Sequence, residues 1–376
     1  MITVRTTKLK QMISKAIKGS TNNLSYPMSS MINIYGYDKK IELTTTDGNN
    51  FLVVKSEIDD VIEEEFMVAV PIDTFSKLVM KTTSEFISLD FDNNVNVLQI
   101  VGNGTYHIGL EYDADEDEVV TFTAPIMTSN IKESFDIDSI KIKNAIATNE
   151  SSLLPLTQNV TYSNRNYFAL TGYYMQPDSV ISTDSVVITE SKNHLFNTPI
   201  LISKSLMSLL SLIDEEQIHI DIYDDDITLV ATSNAITIVG QLMSEIDAYP
   251  IDAITPLFNE SYPYMCEVPK QYLIDVLDRM LLFIGLNDDN EIMLNFTANS
   301  LLITNKSKNA SEFIPYIKPN TSYVSDFICL VNIQTLFAQI KSHNSDSLEV
   351  FYGKDNAIKV NSNNLSQIIL TLEDVE

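Results

Sequence analysis

The sequence predicts an α+β protein made of three repeated units, each with two helices packed on antiparallel sheet. Three observations predict it. Residues 201–242, LISKSLMSLLSLIDEEQIHIDIYDDDITLVATSNAITIVGQL, place a short amphipathic helix before an alternating strand, a tight acidic turn and two further strand-like runs. The same order returns in residues 71–112 and 331–372, with an aromatic closing the first strand each time (Phe91, Tyr223, Tyr352). The copies begin about 130 residues apart, a period too long for a solenoid unit and suited to a domain used three times. The first halves of the repeats match as well: ELTTTDGNNF (42–51), VVITESKNHLF (186–196) and LLITNKSKNAS (301–311) each run a strand to Thr and then a polar turn. The repeats are then 1–120, 121–250 and 251–376.

In order along the chain, residues 7–18 form a helix, with Leu9, Ile13, Ala16 and Ile17 as its apolar stripe and Gly19 as its stop. Strands follow at 31–35, 41–45 and 51–56, the last after the Asp47-Gly48 turn. A second helix covers 72–82, with Phe75, Leu78 and Val79 inward, and strands at 86–91, 95–101 and 105–112 complete the repeat. The acid-rich run Glu111–Glu118 reads as a solvated connector. The second repeat has a helix over Ile137–Thr148, strands at Tyr167–Tyr173 and Ser185–Thr189, a helix over Ser203–Ile213 and the strands already described. Residues 245–260, with two prolines and no clear period, read as a second connector. The third repeat has a helix from Pro269 to Phe283, strands at 291–297, 300–305 and 327–331, and a helix over Asn332–His343. That makes six helices in all.

Composition narrows the function. The chain has 376 residues, 44% of them apolar, enough to bury a core in each repeat. With 24 basic against 51 acidic residues the formal charge is −27, which argues against a protein that coats its whole surface with nucleic acid. Cys266 and Cys329 are too few for a disulfide framework and lack metal-ligand spacing, as in a reducing compartment. The lysine-bearing first 20 residues have no apolar core, and no apolar run approaches the roughly 20 residues needed to cross a bilayer. The expectation is a soluble, cytoplasmic protein with no membrane association.

The charge is segregated by element. The six helical windows (7–20, 71–84, 137–149, 201–213, 269–282, 332–343) hold 12 basic and four acidic residues, and the remainder holds 12 basic and 47 acidic. Helices gathered on one side would make that surface mildly basic. Such a surface tracks phosphates without reading bases, while the acidic exterior repels the same polyanion elsewhere.

Catalytic patterns are missing. His107, His194, His219 and His343 are scattered, with no nucleophile at triad-like spacing, and there is no glycine-rich phosphate loop. His219-x-Asp221 with the Asp224–Asp226 turn is the best metal candidate, and a solvated turn explains it better. The sequence predicts no enzyme, no metal site and no cofactor.

TTTDG (44–48), YFALTG (167–172) and YPIDAITP (249–256), in this order within three units of two helices plus sheet, resemble the bacterial sliding clamp, the β subunit of the replicative DNA polymerase. The resemblance spans essentially the whole chain, and three units per chain favour the bacterial or bacteriophage type. It implies a processivity factor: a head-to-tail homodimer closed into a ring around duplex DNA, with the helices lining the hole. The residues facing DNA would be Lys8, Lys15, Lys18, Lys77, Lys81, Lys141, Lys204, Lys270, Arg279 and Lys341. Where the family often has a basic residue after the first helix, Asn22 and Asn23 stand instead. Ring closure would bring Tyr106 and Ile108 against Leu282 and Phe283 of the other subunit.

The family's apolar pocket for short peptides of polymerase and clamp loader maps to Leu170, Thr189, His194, Leu195, Pro250, Ile254, Asn332, Thr335, Ile369, Leu370 and Leu372. The family's Asp-Gly-His-Arg-like turn near Thr189 is replaced by Glu190-Ser191-Lys192-Asn193, and the tail ends Glu373-Asp374-Val375-Glu376. Such an acidic margin would favour a more basic peptide. The competing reading is an acidic structural or DNA-mimic protein, which leaves the lysine-bearing helices without a role.

Overall fold

The computed structural model describes the chain except for residues 22–24, 59–64, 93–94, 114–117, 158–163, 226, 285–289, 319–324, 355 and 373–376. Asn22, Asn23, the acidic tail from Glu373 and the centre of the Glu111–Glu118 connector lie outside the described residues. The described α-helices are α1 (Thr6–Ala16), α2 (Ile72–Lys81), α3 (Ser139–Asn149), α4 (Arg165–Ala169), α5 (Lys204–Leu210), α6 (Ile251–Phe258), α7 (Lys270–Leu281) and α8 (Ile333–Ser342). All but α4 and α6 follow a strand with no intervening residue, and three antiparallel strands come after each. This strand–helix–three-strand module therefore occurs six times.

Neighbouring modules exchange their leading strands. Ile2–Arg5 pairs with Phe86–Asp92 of the second module, and Phe66–Pro71 pairs with Met31–Tyr37 of the first. The third and fourth modules do the same (Ile131–Asp138 with Gln217–Tyr223, Ile200–Ser203 with Gly172–Met175), as do the fifth and sixth (Tyr264–Pro269 with Ser347–Lys354, Phe327–Asn332 with Glu291–Phe296). Each exchange satisfies strand edges that would otherwise expose unpaired amides and carbonyls.

The chain forms two compact units, Met1–Ile140 with Ser205–Leu242 and Lys141–Lys204 with Met243–Glu376. In the first unit, Ile236–Gln241 pairs with Phe51–Glu57 and joins two four-strand groups into one eight-stranded antiparallel sheet. In the second, Val187–Lys192 pairs with Leu365–Leu370 to the same effect. Each unit also has a separate four-stranded sheet, ending at Thr105–Gly109 in the first and at Ser311–Pro315 in the second.

The helices bury Leu9, Met12, Ile13 and Ala16 in α1, Leu273, Val276, Leu277 and Met280 in α7, and Ile333, Leu336 and Ile340 in α8; Ile17, expected in the α1 stripe, is instead exposed just past the end of that helix. Each large aliphatic side chain so buried contributes roughly 1.5–3 kcal/mol. Gly19 is buried beyond α1, where a Cβ would lie 2.5 Å from Thr45 Oγ1 and 2.7 Å from Leu52 Cβ. The glycine permits close approach of helix end to sheet, and that is its role in stopping the helix.

On the helix side of the second unit, the join between Val187–Lys192 and Leu365–Leu370 is polar. Gln367 Nε2 donates to Gln339 Oε1 at 2.8 Å, Ser152 Oγ donates to the same oxygen at 3.0 Å, and Asn149 Nδ2 donates to the Val180 carbonyl at 3.0 Å. His343, 1% exposed, bonds Ser362 Oγ at 2.6 Å and Gln367 Oε1 at 2.8 Å. Burial, with a smaller push from Lys270, drives its imidazole down to about 4.

Several expectations are corrected. Residues 245–260 are not a structureless connector: a 3-10 turn at Ser244–Ala248 leads to α6. Ile251, Ile254, Leu257 and Phe258 fall at helical spacing, which Pro256 disguises. Tyr167–Tyr173 is α4 followed by a strand beginning at Gly172, not one strand. Residues 185–186 belong to a turn, with the strand at Val187–Lys192 and Ser185 at φ 76°. The helix Ser203–Ile213 is shorter, because Ile200–Ser203 is strand.

The phrase of the second repeat that matches ELTTTDGNNF is also displaced by one strand. Thr46 Oγ1 donates to the Asn50 carbonyl, and Asp47 Oδ1 accepts from the amides of Asn49 and Asn50. The same bonds run from Thr183 Oγ1 to the Val187 carbonyl, and to Asp184 Oδ1 from the amides of Val186 and Val187. The Thr-Asp turn of the second repeat is therefore Thr183–Val187, and Thr189 lies inside the following strand.

Candidate nucleic-acid and partner interfaces

The ten cations expected to face DNA fall into three groups. Lys8, Lys141 and Lys270 reach main-chain carbonyls, at Glu57, at His194 (3.4 Å) and at His343 respectively. The Lys270 ammonium thereby sits at the C-terminus of α8, where a helix favours positive charge. Lys15 pairs with Asp214 at 2.8 Å, Lys77 with Asp73 at 2.5 Å one turn away, and Lys204 with Glu150 at 2.8 Å. Arg279 is bound through two nitrogens to Glu312, Nε to Oε1 at 2.9 Å and Nη2 to Oε2 at 2.6 Å. Its guanidinium holds the Glu312 carboxyl below the ordinary carboxylate range. Lys18 and Lys81 are exposed at the ends of their helices, and Lys341 lies 4.0 Å over the Phe337 ring.

The second unit brings together part of the expected peptide pocket. On the outer face of its large sheet, away from α8, Leu170 and Ile254 pack in one buried cluster with Tyr174, Ile181, Ile188, Met243, Tyr249 and Ile368. Pro250 precedes α6 there, and Tyr249 stacks on Tyr174 with ring centroids 4.7 Å apart. Leu370 is exposed on the same face, its amide donating to the Val186 carbonyl at 2.9 Å. The Lys359 ammonium caps α6 by donating to the Phe258 carbonyl at 2.6 Å.

The remaining expected pocket residues are placed otherwise. Thr189 and Ile369 alternate to the opposite, helix-covered face, Thr189 hydrogen-bonded with Ser152 at 2.5 Å and Ile369 in the apolar core beneath α7 and α8. Asn332 caps α8, its Oδ1 accepting from the amides of Gln334 and Thr335. Leu195 is buried, the His194 ring bonds the Pro177 carbonyl, and the Leu372 amide donates to the Leu330 carbonyl.

A sheet edge and the turn after α7 carry the expected contact residues. Thr105–Gly109 is the outermost strand of its sheet, with Tyr106 exposed and Ile108 buried. Leu282, just past α7, is 80% exposed, and Phe283 is exposed beside it. Sequence reasoning missed Phe313, 60% exposed on the outermost strand Ser311–Pro315. The signal was the alternation of Phe313 with Ile314 after the Asn305 turn, too short to stand out as a strand. The missed Val186 is exposed within the Thr183–Val187 turn.

His219 Nδ1 lies 2.8 Å from Asp136 Oδ1, and Nε2 lies 3.3 Å from Asp221 Oδ1. The Asp136 bond raises the imidazole above its ordinary value. Asp225 closes the adjacent turn, accepting from the amides of Ile227 and Thr228 and from Thr228 Oγ1, and Asp226 lies outside the described residues. Among the described residues, no group of three or more His, Cys, Asp or Glu side chains is arranged to hold a metal.

No protein-family model and no curated protein matches the sequence. Solved structures do match, over nearly the whole length. The DNA polymerase III subunit beta of Borrelia burgdorferi aligns with a TM-score of 0.82 at 17% identity, covering 99% of each chain. The chain has the fold of a bacterial sliding clamp. The DNA polymerase sliding clamp of Bacillus subtilis gives 0.81 at 16% identity over 99% of this chain and 98% of its own. The DNA polymerase III beta subunit of Thermotoga maritima gives 0.78 at 17%, with 99% of each chain covered. The six modules with exchanged leading strands are thus a clamp fold, shared with these clamps at 16–17% sequence identity. No described helix is long and apolar enough to cross a membrane.

Proposed function

We propose that this protein is a DNA polymerase processivity factor, a sliding clamp whose head-to-tail dimer encloses duplex DNA. The observation that carries the reading is a full-length clamp fold on which half of the chain's cations sit in the helical segments while the overall charge is −27. A topological tether needs little affinity, so weak and diffuse phosphate contacts suffice and permit sliding. Three clamp domains with boundaries near residues 120 and 250 would provide the six helices. Lys18, Lys81 and Lys341 are the strongest candidates to face phosphate, followed by the carbonyl-bound and acid-paired lysines once DNA competes for them.

In this reading the edge strand with Tyr106 and Ile108 meets Leu282, Phe283 and Phe313 of a second copy, a heterologous contact that two copies close. The outer face around Leu170, Val186, Pro250, Ile254 and Leu370 takes the short peptides of polymerase and clamp loader, and the setting is cytoplasmic. Retention on nicked circular DNA with release upon linearisation is the expected result. Equal retention on both forms would remove the sliding reading.

A further inference from the structure

Each module ends on a strand, and four of these six strands are joined in pairs, Ile236–Gln241 with Phe51–Glu57 and Val187–Lys192 with Leu365–Leu370. Thr105–Gly109 and Ser311–Pro315, which end the second and fifth modules, are each outermost in a four-stranded sheet. The repeat carries the register of the joined strands over to these two. From the residue four before α1, strand pairs lead through Ile2, Leu89 and Ile100 to Tyr106. The same steps lead from Phe135 to Ile238 and from Cys266 to Gln367. In the other three modules they lead from Val68 to Val54, from Ile200 to Ser191 and from Cys329 to Glu312. Within the joins Val54 faces Ile236 and Ser191 faces Leu365, while Leu52 faces Ile238 and Thr189 faces Gln367. Carried over, Glu312 faces Gly104 and Ala310 faces Tyr106.

The three strand pairs differ in what they set against each other on the helix side. The first unit's join is aliphatic, with Ile236, Ile238, Leu52 and Val54 all buried. The second unit's join is hydrogen-bonded, Gln367 Nε2 donating to Thr189 Oγ1 at 3.3 Å. The third sets the bulky Arg279–Glu312 pair against a residue with no side chain, and Tyr106 against the small Ala310. A Cβ at Gly104 would lie 3.4 Å from Tyr106 Oη, so that hydroxyl stands beside Gly104, where it can donate to an incoming Glu312 carboxylate. Setting Glu312 against Ile236 or Leu365 instead would bury its ion pair under an aliphatic side chain, a desolvation that no new contact offsets.

We propose that Thr105–Gly109 of one copy and Ser311–Pro315 of a second recognise each other in this one register, with Gly104, Tyr106, Ala310 and Glu312 selecting the pairing. The proposal rests on the clamp reading and adds which residues choose the partner strand. Gly104→Ile places the first unit's side chain opposite Glu312. Self-association of the full chain, followed by sedimentation over a dilution series, is then expected to weaken about a hundredfold or more. Adding Glu312→Val recreates the Ile236–Val54 arrangement and is expected to bring dimerisation back to within about tenfold of the parent. The contact a Gly104 Cβ makes is an ordinary one, so the variant is expected to melt as the parent does.

Thr105 and Ser311, both exposed, fall opposite one another in the same register. Thr105→Cys with Ser311→Cys is expected to give a covalent dimer on oxidation. Thr105→Cys with Phe313→Cys is not, since diagonal positions lie about 7–8 Å apart, too far for a disulfide. The cysteine pairs report the register even if Gly104→Ile fails to fold. Unchanged self-association of Gly104→Ile, a cross-link through Phe313→Cys, or a cross-link through neither pair would overturn the proposal. Retention of the parent on nicked circular DNA, measured in parallel, keeps the two readings apart. Retention without the Ser311→Cys cross-link overturns the register alone, and a cross-linked dimer without retention removes the sliding reading alone.

Discussion

Arg279 and Glu312 bind one another through both ends of guanidinium and carboxylate, and so join the last turn of α7 to the outermost strand Ser311–Pro315. By helix position alone Arg279 is a phosphate ligand, but its charge is already engaged. Removing it is therefore expected to leave the salt dependence of duplex binding unchanged. Lys81→Ala should instead lower the slope of log K against log salt by about 0.9, the value for one lost phosphate contact. Anisotropy on a short duplex across a salt series measures both, and a slope change with Arg279→Ala would return that residue to the DNA-facing set.

Leu282 is an apolar side chain that the isolated chain leaves almost wholly in water. Leu282→Glu should spare the fold and abolish self-association, converting a dimer of about 85 kDa into the 42.3 kDa chain in light scattering. A dimer that survives the substitution would place the contact elsewhere.

His343 makes the second unit acid-sensitive. Its imidazole titrates near 6.5 unfolded and near 4 when buried between Ser362 and Gln367. The unfolded chain thus binds the proton first, and the contribution is complete above pH 6.5 and lost as pH falls toward 4. The loss is roughly 3 kcal/mol at its fullest. Urea unfolding across that range, compared with His343→Gln, is expected to show the variant with the shallower acid slope.

His219 has the opposite sign. Its folded value is raised by Asp136 and Asp221, so its contribution is complete below pH 6.5 and lost as pH rises through the folded value. An NMR titration should place the imidazole above 6.5 in the native chain and lower it in Asp136→Asn.

Gly19→Ala tests the close approach at the end of α1. The new Cβ would meet Leu52 Cβ at 2.7 Å, an atom that no rotamer change can move. The helix end must shift, and a loss of about 1–3 kcal/mol is expected in equilibrium unfolding.

Apolar periodicity by itself determined six helices, because α1, α2, α3, α5, α7 and α8 each bury one stripe and carry their polar residues on the other side. It also determined the repeat, since the same burial problem is solved with the same spacing in each copy. It missed α6, where Pro256 interrupts a sound helical pattern, and it set the second repeat's turn one strand late, because Thr189-Glu190-Ser191 and Thr183-Asp184-Ser185 read alike until hydrogen bonds choose between them. The tertiary structure alone decided which face each strand residue takes, for a shift of one residue reverses every side chain. That is why Thr189 and Ile369 lie beneath helices while Leu170 and Ile254 share the outer face. It alone decided which cations are engaged, because Arg279 meets Glu312 and Lys15 meets Asp214 only when residues distant in sequence are brought within 3 Å of each other.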